Sequence, residues 1–281
     1  MKIIKSLAVA ALTIATTLTL TGCGNNSNVI TVCASELPHA DVLENCVKDI
    51  LAEEGYKLEV TILDWSVQNQ AVAAGDYDAN YFQHVPYLQG DESASSLFAA
   101  CKVHYEPLGI YRGKSTGNLE DGKSFEICND TSNAIRAFQL LKEKGILNEI
   151  PVNETGDQLT MTGSKYTEGD ITVTLIAENL LVTSLNDYDF GLLPCNTAYT
   201  GNVSKDKQVA KEDNPDQVSL KANIIAARKD DYLNDEDYKK KIDVLVEALL
   251  SDSVSQYFDN AYNGTMTCDS SSQIDLRSLL N

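Results

Sequence analysis

The chain has 281 residues and a formal net charge of −19, from 41 acidic against 22 basic side chains. With no basic patch to meet a phosphate backbone, nucleic acid is excluded as a partner, and the acidity reads as solubility for an exposed protein. Cys33, Cys46, Cys101, Cys128, Cys195 and Cys268 are dispersed, which excludes a zinc site built on paired-cysteine spacing. Several sit in apolar, strand-like runs, where a free cysteine acts as a small hydrophobe; export would let some oxidise, with no pairing that can be deduced.

At the N-terminus, Lys2 and Lys5 precede an apolar run from Leu7 to Leu20. The run is shorter than the roughly 20 residues of a comfortable membrane span. It reads as a secretory signal over residues 1–22, closing on Leu20-Thr21-Gly22-Cys23, small residues before a cysteine as in the bacterial lipobox. Cleavage before Cys23 and acylation of its sulfur are expected, with residues 23–28 as a polar tether. The mature body is then held at the outer face of a membrane by acyl chains, not by a helix.

Strand and helix signals alternate after the tether. "VITVCAS" is a short apolar strand, and "ADVLENCVKDILAEEG" places Val42, Leu43, Val47, Ile50 and Leu51 on one helical face. "KLEVTILD" is a strand, "VQNQAVAAGD" a short helix, "YDANYF" a strand, and a helix is expected around Tyr87 to Phe98. "KVHYEPLGIYR" is strand-like and broken at Pro107. "SFEICND" is a strand and "TSNAIRAFQLLKEKG" a helix. "DITVTLIA", "DYDFGLLPC" and "VSLKANIIAAR" are strands, and helices follow over about Tyr238 to Leu250 and Ser253 to Tyr262. This order predicts an α/β protein with helices on both faces of parallel or mixed sheets. The polar, glycine-rich stretch "YEPLGIYRGKSTGNLEDGKS" suggests a crossing between two lobes, with a second near "LKANIIAAR". The expected division is a first lobe over 29–110, a second over 111–222, and a return to the first over 223–281. Such a clamshell binds ligand in its cleft, where strand carboxyl ends converge.

Two segments carry chemistry. "GDYDANYFQHVPYL", Gly75 to Leu88, gathers three tyrosines, Phe82 and His84, with Pro86 behind. In "ICNDTSNAIRAF", Ile127 to Phe138, a strand ends in capping residues and Arg136 follows in the first turns of a helix. A helix N-terminus with a planar, two-pronged guanidinium beside it makes a carboxylate site. The plainer alternative is a surface arginine paired with Glu143.

"DANYFQHVPYL", "EPLGIY", "NDTSNAIRAFQLL" and "ANIIAARKD", with "PHADVLE" and "ILDWSVQNQAVAAGDYDAN", together resemble the NlpA-type methionine-binding lipoproteins of ABC importers, over essentially the whole mature chain. The resemblance implies the bilobed periplasmic-binding-protein fold of type 2, capture of L-methionine, and its delivery to an ABC permease and ATPase. It implies that Arg136 holds the amino acid's carboxylate, that Phe82 and His84 line the side-chain pocket with Trp65, and that the oxygens of Asn196 and Asn223 accept from the ammonium. Tyr77, Tyr81 and Tyr87 are expected as packing or rim residues. The chain departs from the family pattern at Trp65, where tyrosine is usual, at Pro194 in place of asparagine, and over "ENLLVTSLND", Glu178 to Asp187, in place of a "QLPR" segment. Another amino acid or a methionine dipeptide is therefore a further candidate ligand.

An enzyme is not expected. There is no Gly-x-Ser-x-Gly elbow and no zinc-protease helix motif, and Cys195 beside Asn196 lacks the electropositive setting that makes a thiolate. His84, His39 and His104 share no metal-ligand spacing, so neither metal nor cofactor is expected. A surface-interaction lipoprotein on the same fold is the remaining alternative.

Overall fold

The structure is a computed structural model and describes residues 28–280; the signal segment and Cys23 lie outside the described residues. The strands are β1 (Val29–Ala34), β2 (Lys57–Ile62), β3 (Ala79–His84), β4 (Leu97–His104), β5 (Leu108–Arg112), β6 (Ser124–Cys128), β7 (Lys165–Glu168), β8 (Ile171–Ile176), β9 (Phe190–Pro194), β10 (Gln208–Lys211), β11 (Asn223–Arg228) and β12 (Ile274–Asp275). They form two six-stranded sheets, in the orders β12-β4-β11-β3-β1-β2 and β10-β5-β9-β6-β8-β7. In the first, β1 runs parallel to β2 and β3, while β11 runs antiparallel to both β3 and β4. In the second, β6 runs parallel to β8 and β9, and β5 pairs antiparallel with β9.

β11 lies between β3 and β4, so the first sheet is complete only after the chain has left it, built the second and come back. The chain leaves at His104 and enters the second sheet at Leu108; it leaves again at Lys211 and returns at Asn223. Tyr105–Pro107 are thus the first crossing, at the very start of the glycine-rich stretch, and the division expected after residue 110 falls within β5. The remainder of that stretch belongs to the second lobe, where Gly113 approaches the carbonyls of Leu185 and Tyr188 too closely for any side chain.

The helices are α1 (Lys48–Glu53), α2 (Trp65–Ala73), α3 (Val85–Gly90), α4 (Thr131–Glu143), α5 (Leu181–Ser184), α6 (Cys195–Thr200), α7 (Pro215–Lys221), α8 (Lys229–Asn234), α9 (Glu236–Leu249) and α10 (Asp252–Tyr262). α4 is set by its sequence. Asp130 caps it by accepting from Asn133 N–H at 2.9 Å, and Ala134, Ala137, Phe138 and Leu141 recur on its buried face. α9 is built in the same way, with Asp235 accepting from Asp237 and Tyr238 N–H and with Ile242, Leu245 and Leu249 buried. Two expectations fail locally. The helix expected near Tyr87 to Phe98 ends at Gly90, and Phe98 lies in β4. "VSLK" closes α7, so the returning strand starts only at Asn223.

Each sheet has its own core. Ile30, Val32, Leu43, Leu51, Ile242, Leu245 and Phe258 pack in the first lobe, and Phe125, Ile127, Phe138, Val173, Phe190 and Leu192 in the second. Each such side chain stabilises its own lobe by roughly 1.5–3 kcal/mol of burial. The cleft between the lobes is lined differently, by polar and aromatic groups.

Candidate functional site

The cleft gathers Trp65, Phe82, His84, Arg136, Asn196 and Asn223 in the lining of one pocket. Each arrives by a local rule. Asp64 accepts from Ser66 N–H at 2.9 Å and starts α2, which sets Trp65 at its first position. Phe82 projects from β3. His84 ends β3 and caps α3, its Nδ1 accepting from Tyr87 N–H at 3.2 Å, with Pro86 fixing the first turn. In the same lobe, Asn69, Asn80 and Gln83 form a buried amide network that locks α2 to β3, with Gln83 Nε2 donating to Asn69 Oδ1 at 2.6 Å.

Of the three tyrosines expected as packing or rim residues, Tyr87 lines the pocket. The capped turn brings it back over the cleft, where it meets Trp65 and Phe82 edge to face at 5.5 and 5.6 Å. Tyr81, by contrast, is wholly buried, its hydroxyl 2.5 Å from His104 Nδ1, and Tyr77 packs against a small cluster beside α2. Burial, and then the nearby Arg136 charge, pull the His84 pKa down to about 4. It is neutral near pH 7. Because Nδ1 accepts, the proton sits on Nε2.

Arg136 reaches the pocket, but its fork does not open onto it. Nε donates to both oxygens of Glu212, at 2.8 and 2.9 Å, and Nη2 donates to Glu212 and to the carbonyl of Glu106. The Tyr105 ring lies 5.8 Å from the guanidinium, and among the described residues Nη1 makes none of these hydrogen bonds. Glu212 also accepts from Lys221 Nζ at 3.1 Å, from Tyr105 O–H at 2.8 Å and from Leu108 N–H at 2.9 Å. It therefore ties both crossings to α4. The cluster of Arg136, Lys221 and Glu212 keeps one net positive charge, which suits an incoming anion at Nη1.

Burial alone would raise the Glu212 carboxyl; Arg136 and Lys221 outweigh it and hold the pKa at about 2, against an ordinary 4.5. Burial also depresses His39 to about 4 and His104 to about 3. All three are depressed in the folded state, so their contribution is complete above the unfolded values and is lost as pH falls. Between about pH 6.5 and 4.5 the loss through the histidines is opposed by Glu106, whose raised pKa favours the folded state as pH falls; below about pH 4.5 stability is expected to decline through Glu212, by on the order of 2–3 kcal/mol. Urea denaturation from pH 7 to 3 checks this, with Glu212→Gln flattening the lower step.

The two asparagines differ. Asn196, in the first turn of α6, has a buried Oδ1 with no hydrogen-bond partner. Asn223 Oδ1 already accepts from His39 Nε2 at 3.0 Å, which leaves one lone pair and the amide NH2 for a ligand. His39, His104 and Glu106 lie together, their ligand atoms within 4.8 Å of one another, although their spacing in sequence gave no sign of it. Tyr81 O–H donates to His104 Nδ1, and His104 Nε2–H donates to Glu106 Oε1 at 2.8 Å. This relay fixes Glu106 at the pocket edge, where burial raises its pKa to about 7 against the pull of His39 and Arg136. His84 stands apart from that cluster.

Sequence reasoning missed Tyr87, Glu106 and Glu178 as pocket residues. A glutamate before proline at a strand break was the available signal for Glu106; nothing local distinguished Glu178. Cys195 is not set up as a nucleophile. Cys195 is buried, and its thiol is pushed well above the usual range by burial and by Glu106. The six described cysteines are all free, and among the described residues no helix is long and apolar enough to cross a membrane.

The NlpA lipoprotein family profile matches residues 30–268. The methionine-binding lipoprotein MetQ of Bacillus subtilis is 30% identical over 275 residues, covering 93% of this chain and 98% of that protein. Among solved structures, a nutrient binding protein from Burkholderia cenocepacia bound to methionine superposes with a TM-score of 0.73 at 26% identity, over 85% of this chain and 99% of that one. The substrate binding protein of a methionine transporter from Streptococcus pneumoniae shares the fold, with a TM-score of 0.74 at 22% identity over 86% and 96% of the two chains. This chain belongs to the NlpA lipoprotein family, whose members are bilobed α/β substrate-binding proteins and not enzymes.

Proposed function

We propose that the protein is an extracytoplasmic amino-acid receptor of the methionine class, anchored through lipid on Cys23, that delivers its ligand to an ABC permease and its ATPase. The observation that carries this reading is the pairing, in one cleft, of an arginine whose Nη1 lies outside its hydrogen bonds to Glu212 and Glu106 with an unpartnered buried amide oxygen. A zwitterion needs both: Arg136 Nη1 for its carboxylate, and Asn196 Oδ1 with Glu106 for its ammonium. Trp65, Phe82 and Tyr87 offer polarizable ring surface to a thioether, at roughly 0.3–1.5 kcal/mol per sulfur–aromatic contact. Methionine enters the reading through the relatives that bind it.

Asn196→Ala isolates the ammonium contact, because its oxygen bonds nothing in the free protein. Affinity should fall by about 1.5–3 kcal/mol, roughly 10- to 100-fold, with the thermal midpoint unchanged. Calorimetric titration and a melting curve on the same sample read both.

The lobes covering the first and second sheets are joined only through residues 105–107 and 212–222, which suits hinge closure. Small-angle scattering tests the receptor reading directly. A smaller radius of gyration on adding L-methionine is expected; a profile that does not change at saturating ligand counts against closure as the signal.

A further inference from the structure

The cleft also carries a carboxylate beside its aromatic rings. Glu178 opens the helical turn Glu178–Leu180, at the head of the segment where the chain leaves the family pattern. Its Oε1 accepts from Thr197 Oγ1 at 2.9 Å, and its other oxygen has no protein donor among the described residues. No lysine or arginine pairs with it there. Burial, and then the acidic neighbours Asp130, Glu106 and Asp64, raise its pKa to about 7, which a cationic partner would reverse. Glu178 lines the same pocket as Trp65, Phe82 and Tyr87.

Aromatic rings with an unpaired carboxylate beside them suit a cation. Ring faces attract positive charge, tryptophan most strongly, and a carboxylate adds a charge-assisted contact. A neutral thioether would use the rings and leave Glu178 uncompensated among acidic neighbours. We propose that this cleft prefers an amino acid whose side chain ends in a positive charge, and that Glu178 sets the preference. The proposal rests on the amino-acid receptor reading and deepens it.

The test is calorimetric titration of refolded protein and of Glu178→Gln with four ligands: S-methyl-L-methionine (a sulfonium), L-lysine (an ammonium), and the neutral L-methionine and L-norleucine. Glutamine keeps the oxygen that accepts from Thr197, so the turn is retained, and a melting curve verifies this. At least one cationic ligand is expected to bind about tenfold or more tighter than L-methionine, with Glu178→Gln erasing that margin. Tighter binding of the sulfonium alone makes the ligand methionine-shaped; tighter binding of lysine as well makes charge the criterion. L-methionine binding as tightly as both cations, or a margin that survives Glu178→Gln, overturns the preference while the receptor reading stands. Absence of binding by all four ligands overturns the receptor reading, and this preference with it.

Discussion

Arg136→Ala is expected to abolish measurable ligand binding and to destabilise the fold at the same time. The guanidinium is 4% exposed and meets Glu212, which is equally enclosed. Removing one member of a buried pair leaves the other charge without its partner, at a cost of about 3–5 kcal/mol. Lys221 remains beside Glu212 at 3.1 Å and moderates that cost toward the lower end. Loss of binding in this variant would thus confound two effects. Arg136→Lys separates them. A lysine keeps the positive charge for Glu212 but has no planar edge left to offer the ligand. Its urea midpoint should fall less than that of Arg136→Ala, since the charge facing Glu212 is kept, while affinity falls by at least about 30-fold, some 2 kcal/mol, the value of a charge-assisted hydrogen bond. Paired titration and denaturation of both variants give the comparison. A lysine variant that binds normally would show that Arg136 serves the hinge cluster alone.

The second large effect is at Trp65. It is partly buried, starts α2, and touches Tyr87 edge to face. Because Asp64 caps the helix without help from the indole, truncation should spare the fold and remove ligand contact area. Trp65→Ala is expected to weaken binding by about 2 kcal/mol or more, roughly 30-fold, with a change in melting temperature within a degree or two. Tyr87→Ala should act in the same direction, and the double variant should lose less than the sum, since each ring packs on the other. Titration of the three variants measures that coupling. Additive losses would mean that the two rings serve the ligand independently.

The parts of the fold and site that were legible in the sequence share a physical property: their cause is local. The cap at Asp130 and the apolar face from Ala134 to Leu141 announce α4 and place Arg136 near its start. The helix after Asp235 is set in the same way. What was not legible depends on distant partners. The insertion of β11 between β3 and β4 is a pairing across more than a hundred residues, and no local pattern in "ANIIAAR" specifies its neighbours. Arg136 was placed correctly on its helix, but its commitment to Glu212 could not be read, because Glu212 sits 76 positions later in the second crossing. Tyr87 looked like its neighbours Tyr77 and Tyr81. The His84 cap, the Pro86 turn and the contacts with Trp65 and Phe82 hold it at the cleft. Glu178 lies in the segment that departs most from the family pattern, where resemblance offers no residue to carry over.

The most direct measurement is isothermal titration of residues 24–281, unfolded and refolded to strip any ligand carried through purification, with L-methionine injected into the wild type and into Arg136→Lys. Saturable 1:1 binding to the wild type that is strongly weakened in Arg136→Lys is expected of an amino-acid receptor whose carboxylate anchor is Arg136. A refolded wild type that releases no heat with L-methionine or with the cationic amino acids, or one whose binding is indifferent to the lysine substitution, would contradict it.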